Sequence, residues 1–323
     1  MEAINTTRLA EYRPKEGLSE DDSEPSEGPG GRTGFFRATI LEDVLGVERI
    51  YIDYEGVNPT GTHKDWIARA HVERAIEEGF SGITVGTCGN YGVAISYYAS
   101  IAGLKPVIFV PAGYTLERLP EMRALGAELV TVHGTYEDAV EASRRFSREY
   151  GLYDANPGSN REVDLRAYSA MARWIASRVS PTVVFVPIGN GTTIAGLWEG
   201  FKALGERPRM IGVTTAFGNE ILRQFYHDQN SEFVETAFNE PLVSGRSFDA
   251  ERALRAIHDS DGYVFGFSDD TALKYAEMLR LTTGIKAFPA SSLTLAGLVK
   301  FLRKFGVFNG RFVLVVTGGA HGG

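Results

Sequence analysis

"SGITVGTCGNYGVAISYYASIAGLKPVIFV", residues 81 to 110, sets two short apolar runs on either side of one helical repeat. "GITVG" (82–86) and "PVIFV" (106–110) are rich in β-branched residues, while the stretch from about Tyr91 to Ala102 has helical spacing. Short β-branched runs alternating with helices of ten or more residues read as a parallel open sheet covered by helices on both faces.

The unit recurs on both sides of that stretch. Helical periodicity from about Asp65 to Glu78 precedes it. Helices from about Thr115 to Leu125 and from Tyr136 to Tyr150 follow, leading to "ELVTV" and "LYDA". A second series starts with a helix from Val163 to Arg178, then "TVVFVP", a Gly-rich turn and a helix from Ile194 to Leu204. "RMIGVTT", helices near Glu251 to His258 and Asp269 to Thr282, a helix from Ser291 to Phe305, and "FVLVV" complete it. The expectation is an α/β protein.

At 323 residues the chain has room for two domains sharing a cleft, or for one large α/β unit. A net charge of −8 without any basic cluster argues against a nucleic-acid partner. The single cysteine, Cys88, excludes an intramolecular disulfide and fits a reducing, cytoplasmic setting. No apolar run reaches membrane-spanning length, and the N-terminal residues lack the apolar core of a signal peptide; no membrane partner is expected. Ser19 to Gly31, acidic and rich in Ser, Gly and Pro, is expected to be a mobile surface segment.

Four places carry chemistry. In "NPTGTHKDW" (58–66), Lys64 stands behind a Gly-containing turn at the mouth of a helix, where the helix dipole repels a cation. It is either a solvated lysine or an amine held there to react. "PIGNGTTIAGLWEG" (187–200) follows a buried strand and opens a helix, so backbone N–H groups can converge on an anion such as a phosphate. It is not a dinucleotide fingerprint, because Ile194 occupies the third glycine's place, and no Lys-Ser/Thr pair makes it a Walker loop. A tight turn with no ligand is the alternative.

"TVGTCGNYGVAIS" (84–96) is a second strand–turn–helix, whose Thr87, Gly89 and Asn90 amide offer donors to a small acid or a ring oxygen. Cys88 lies in the same turn without a nearby base, and reads as an inert thiol. Thr317, just past "FVLVV", stands on the edge where open α/β sheets bind ligands, though a cap or turn role would also fit. The six histidines show no metal-ligand spacing, and His63, beside Lys64, reads as a packing or solvent-facing residue. An amine, a phosphate cradle, an amide donor and a terminal hydroxyl are together the four needs of pyridoxal phosphate.

On these motifs the chain resembles the fold type II pyridoxal-phosphate enzymes, threonine synthases most closely, from about Gly34 onward. "EGVNPTGTHKDW" looks like the family's Asn-Pro-Thr-Gly-Ser-Phe-Lys-Asp segment, "TCGNYG" like its Ser-Gly-Asn-Thr turn, "VPIGNGTT" like its phosphate loop and "VVTGGAHGG" like its terminal Thr-Gly-His-Gly. The resemblance implies a two-lobed, tryptophan synthase β-like architecture of open parallel sheets with the cofactor in the interdomain cleft. Residues 58–155 would form a smaller inserted lobe, and 1–57 with 156–323 the larger one.

It further implies Lys64 as the Schiff-base lysine and Asn90 as the partner of the phenolic oxygen. Gly189, Asn190, Gly191, Thr192 and Thr193 would form the phosphate cradle, and Thr317 would meet the ring nitrogen. Thr87, Cys88 and Gly89 would face the substrate carboxylate, and Arg161, in "NPGSNR", a substrate phosphate. The implied activity is that of a lyase converting O-phosphohomoserine and water to threonine and phosphate, in a cytoplasmic homodimer. A β-replacement synthase, a serine/threonine dehydratase and a non-catalytic pyridoxal-phosphate-binding protein are the alternatives. The sequence departs from the pattern at His63 (Phe in the family), Trp66 (Arg), Cys88 and Tyr91, and in two extra residues before Arg161.

Overall fold

A computed structural model describes residues 26–28, 31–87, 89–113, 116–228 and 232–319, with only the backbone of 26–28, 31–33 and 116. Two sheets organise it. The larger has seven strands in the order β1 (Ser26–Gly28), β2 (Gly31–Arg37), β3 (Ile50–Tyr54), β11 (Phe312–Val316), β8 (Val183–Pro187), β9 (Arg209–Thr215) and β10 (Tyr263–Phe267). β1, β2 and β3 pair antiparallel, and every other neighbour in this sheet is parallel. The smaller has four parallel strands in the order β6 (Glu128–Val132), β5 (Lys105–Pro111), β4 (Gly82–Gly86) and β7 (Tyr153–Asp154).

Eleven α-helices are described: α1 (Thr39–Leu45), α2 (Lys64–Glu77), α3 (Asn90–Ala102), α4 (Leu119–Ala124), α5 (Tyr136–Tyr150), α6 (Arg161–Arg178), α7 (Thr192–Ala203), α8 (Glu220–Tyr226), α9 (Ala250–Asp259), α10 (Asp269–Thr283) and α11 (Pro289–Phe305). Their boundaries have local causes. Thr135 and Asp138 form a reciprocal capping box at the start of α5, and Gly151 ends that helix in the left-handed conformation. Pro289 opens α11, where its missing N–H costs nothing. All five residues of β11 are buried, as a central strand covered on both faces requires.

The parallel α/β architecture expected from residues 81–110 is what the chain forms. The differences lie where local pattern was weak. The helix expected over 115–125 is a short 3-10 turn, Leu116–Arg118, followed by α4, because Pro120 near the helix start allows a first turn but no earlier α-helical hydrogen bond at its own nitrogen. β2, β3, β10, α1 and α8 add elements beyond the alternation read from the sequence. Ser26–Gly28 pairs with Gly31–Thr33 and so departs from the mobile segment expected over 19–31; residues 19–25, 29 and 30 lie outside the described ones. Among the described residues no helix is long and apolar enough to cross a membrane.

Candidate active site

The C-terminal ends of β3, β4, β8 and β11 deliver the four chemical motifs. After β3 the chain makes a turn closed by Gly61 N–H donating to the Asn58 carbonyl at 2.8 Å, with Gly61 at φ 77°. Asp65, in the first turn of α2, reaches back to accept from the Thr60 hydroxyl at 2.6 Å. The turn is stitched to the segment beyond β11: His63 N–H donates to the Thr317 carbonyl at 2.8 Å, and Thr62 bridges Gly318. Lys64 therefore leaves a rigid loop as the first residue of α2.

The β8–α7 turn forms a cradle. Gly191 caps α7 at φ 89°, and the leading N–H groups of that 12-residue helix have no intrahelical acceptor. A Cβ on Gly189 would come within 2.6 Å of the Pro241 carbonyl, and one on Gly191 within 2.7 Å of Ala253, so the loop admits glycine alone at both positions. Thr192 donates to the buried Asp249 at 2.7 Å, while Asn190 accepts from Ser244 at 3.1 Å. Burial pushes the Asp249 carboxyl up; its bond from Thr192 and the nearby Arg252 and Arg161 oppose this.

Asn90 begins α3 and accepts from Arg118 through Oδ1 at 2.6 Å, so the group its amide offers a ligand is the Nδ2 donor. The Thr317 hydroxyl, buried, shares a 2.9 Å hydrogen bond with Ser291 at the start of α11. These are two neutral hydroxyls.

Lys64, Asn90, Gly189, Asn190, Gly191, Thr192, Thr193 and Thr317 all line one cavity at these strand ends. A broader, more open depression near Glu220, His227 and His258 contains none of these groups. Of the residues expected to face the substrate, Thr87 is buried behind the turn with its methyl close to Gly92, and is not in the cavity wall. Gly89 faces open space. Cys88 lies outside the described residues. Arg161 is exposed at the start of α6, off the cavity wall; Asp164, one turn on, meets buried His71 at 2.7 Å.

Sequence reasoning missed two groups. His63 is not merely packing or solvent-facing: it lines the cavity, with Nε2 3.2 Å from the Thr193 hydroxyl and Nδ1 3.2 Å from the Thr317 carbonyl. Its ring stacks on Tyr168, and burial, then the Lys64 charge, hold its pKa well below the ordinary value. Adjacency to Lys64 is the one sign the sequence offers, and side chains next to each other usually point apart. Ser291 carried no sign, since only the docking of α11 brings it to Thr317. Among the described residues no group of three or more His, Cys, Asp or Glu could hold a metal ion.

A cavity with an amine, glycine-lined N–H donors, an amide donor and a hydroxyl pair fits pyridoxal phosphate end to end. The comparisons agree. Threonine synthase of Methanocaldococcus jannaschii is 29% identical over 98% of this chain and 80% of its own length, and that of Mycobacterium bovis 26% over 96% and 87%. Among solved structures, the processed threonine deaminase isoform 2 from Solanum lycopersicum superposes with a TM-score of 0.72 at 20% identity over 90% of this chain and 84% of that one. Maize serine racemase gives 0.73 at 15% identity over 89% and 88%. The pyridoxal-phosphate dependent enzyme family model matches residues 27–318, and the chain belongs to that family.

Proposed function

We propose that the protein is a lyase of the threonine synthase type, taking O-phosphohomoserine and water to threonine and phosphate. The observation that carries this reading is the convergence of Lys64, Asn90, the Gly189–Thr193 cradle and Thr317 on one cavity. Bound pyridoxal phosphate supplies the electron withdrawal that acidifies an amino acid's Cα–H. Lys64 would hold the aldehyde end and would supply the amine that takes the Cα proton. The Gly191, Thr192 and Thr193 amides would hold the phosphate, and Asn90 would donate to the phenolic oxygen. Thr317 and Ser291 offer the ring nitrogen hydroxyls in place of a carboxylate, which favours elimination and replacement over transamination.

The names of the relatives support the substrate, as does Arg161, whose charge acts on Asp249 beside the cradle. Gly89 stays proposed for the substrate carboxylate, with Thr87 backing that turn from behind. The all-local strand content of the small sheet, 82–154, supports a smaller lobe of 58–155 inserted into a larger one of 1–57 and 156–323. A cytoplasmic homodimer belongs to the same proposal, resting on the single thiol and the resemblance. The test is incubation of the holoenzyme with O-phosphohomoserine, serine and threonine. Equimolar phosphate and threonine from the first supports the synthase; ammonia and keto acid from the others, with O-phosphohomoserine inert, would replace it by a dehydratase.

A further inference from the structure

Two acids lie in the interior beneath the lysine turn: Asp53, near the end of β3, and Glu55, just past it, are both 0% exposed. β3 runs between β2 and β11, with Asp53 opposite Phe35 and Val315. Glu55 Oε2 accepts from the Trp66 indole at 2.8 Å and from the Asn58 amide. Asn58 in turn donates to the Thr62 carbonyl at 3.1 Å. Glu55 thus grips both ends of the turn that presents His63 and Lys64.

The other oxygens are not satisfied. Among the described residues, both Asp53 oxygens and Glu55 Oε1 have no well-aligned hydrogen-bond partner, although the two carboxyls and the Trp174 indole lie within reach of one another. The titratable groups facing the pair are Asp65 from α2 and Tyr168 from α6, and none of the leading influences on either acid is a cation. Two adjacent carboxylates, both ionised in such a place, would repel each other without screening and lack solvation. One proton between them removes the repulsion and supplies the missing donor.

We propose that Asp53 and Glu55 share a single proton, and that this acid pair is a positioning device holding the Asn58–Trp66 turn, and with it Lys64, against the cavity. Burial pushes both carboxyls up, Asp53 to about 7 and Glu55 well above the usual carboxylate range, which keeps the proton in place at neutral pH. With folded pKa values raised, the stabilisation is full below the ordinary carboxyl range; it starts to fall as pH rises through about 7, and the shared proton itself leaves only at the higher pH set by Glu55. The catalytic consequence rests on the reading of Lys64 given above; the shared proton does not.

Asp53→Asn and Glu55→Gln each install a permanent N–H donor where the proton sits. The holoenzymes are unfolded by denaturant across about pH 6 to 9, and infrared spectra are taken at neutral pH. The parent should lose stability as pH rises and show a protonated-carboxyl band. Both variants should lack the band and the slope, and the alkaline limb of their turnover, each normalised to its own maximum, should move up by about one pH unit. A common pH dependence in all three proteins, or no carboxyl band in the parent, would overturn the proposal. So would parent stability that follows potassium or sodium at fixed pH, since a cation would then occupy the proton's place. If the stability and infrared results appear as expected but the turnover limb does not move, the link to Lys64 fails while the shared proton stands.

Discussion

The Nε2 of His63 and the hydroxyl of Thr193 stand 3.2 Å apart, joining the lysine turn to the first turn of α7. The other ring nitrogen meets the Thr317 carbonyl, which can only accept, so Nδ1 carries the proton and Thr193 donates to Nε2. One neutral imidazole therefore ties the anion cradle to the strand end that bears Thr317.

His63→Phe keeps a ring to stack on Tyr168 but cuts both links. We expect pyridoxal phosphate to bind roughly 5- to 10-fold more weakly, the scale of about 1–1.5 kcal/mol for a lost hydrogen bond, as measured by equilibrium titration of the apoprotein. The pH effect has a definite sign. A histidine held below its ordinary pKa destabilises the fold progressively as pH falls below about 6.5, where the unfolded chain takes up the proton first. Chemical unfolding at about pH 7.5 and 5.5 should show the parent losing more stability than His63→Phe on acidification. Equal losses would mean that His63 is already charged or exposed.

Lys64 should be the residue that carries the cofactor. Borohydride reduction of the holoenzyme followed by peptide mapping should recover the pyridoxyl group on Lys64 and on no other lysine. Lys64→Ala should still bind the cofactor through its phosphate, yet lose about 10²- to 10⁴-fold in turnover, the range for removing a positioned base. A label on Lys286 or Lys202 would reject the assignment.

How far the sequence led is clearest at these same residues. "NPTGTHKDW" and "PIGNGTT" were legible because a turn glycine, a helix start and a strand end are local events, written within ten residues of one another. The wall that Ser291 adds was not, because it depends on how α11 docks more than two hundred residues after the lysine turn. Trp66, a departure from the family's Arg, takes its meaning from a tertiary contact, its indole donating to buried Glu55. Asp53 carried no sign at all, since nothing in "IYIDYEG" tells which face of β3 turns inward between β2 and β11.

Thr317 and Ser291 should keep the ring-nitrogen end of the cavity neutral. Thr317→Asp puts a carboxylate there, against the Ser291 hydroxyl 2.9 Å from the present oxygen. A carboxylate favours a protonated ring, and the share of transamination relative to elimination should rise by about tenfold, a relative barrier change of about 1.4 kcal/mol. Product analysis by chromatography reads the ratio directly. Ser291→Ala should weaken the hydroxyl's orientation without introducing charge, and so leave the ratio where it was. An unchanged ratio in Thr317→Asp would remove Thr317 from the site.

Arg161 should decide whether the enzyme uses a phosphorylated substrate. Its guanidinium is exposed and lies off the cavity wall, so its contribution in the free protein is that of a solvated charge. What makes it a candidate is position: it begins α6 directly after the "NPGSN" turn. That turn is fixed by Asn156, which accepts from Gly86 N–H at 2.7 Å, and by Gly158 N–H on Asp164. The Arg161 side chain lies beside Gly158 and Phe248, next in sequence to Asp249, the partner of Thr192 in the cradle. A phosphate arriving there can take two parallel N–H bonds. Arg161→Ala should therefore leave the Lys64-bound cofactor spectrum intact while raising KM for O-phosphohomoserine about tenfold to a hundredfold, the scale of roughly 1.5–3 kcal/mol for a hydrogen bond to a charged group. Arg161→Lys should recover part of this, because the ammonium keeps the charge and loses the fork. Turnover of serine, which has no phosphate to hold, should respond to neither change. Parent-like kinetics with O-phosphohomoserine in both variants would leave Arg161 as a surface residue and shift the reading toward a dehydratase or β-replacement enzyme.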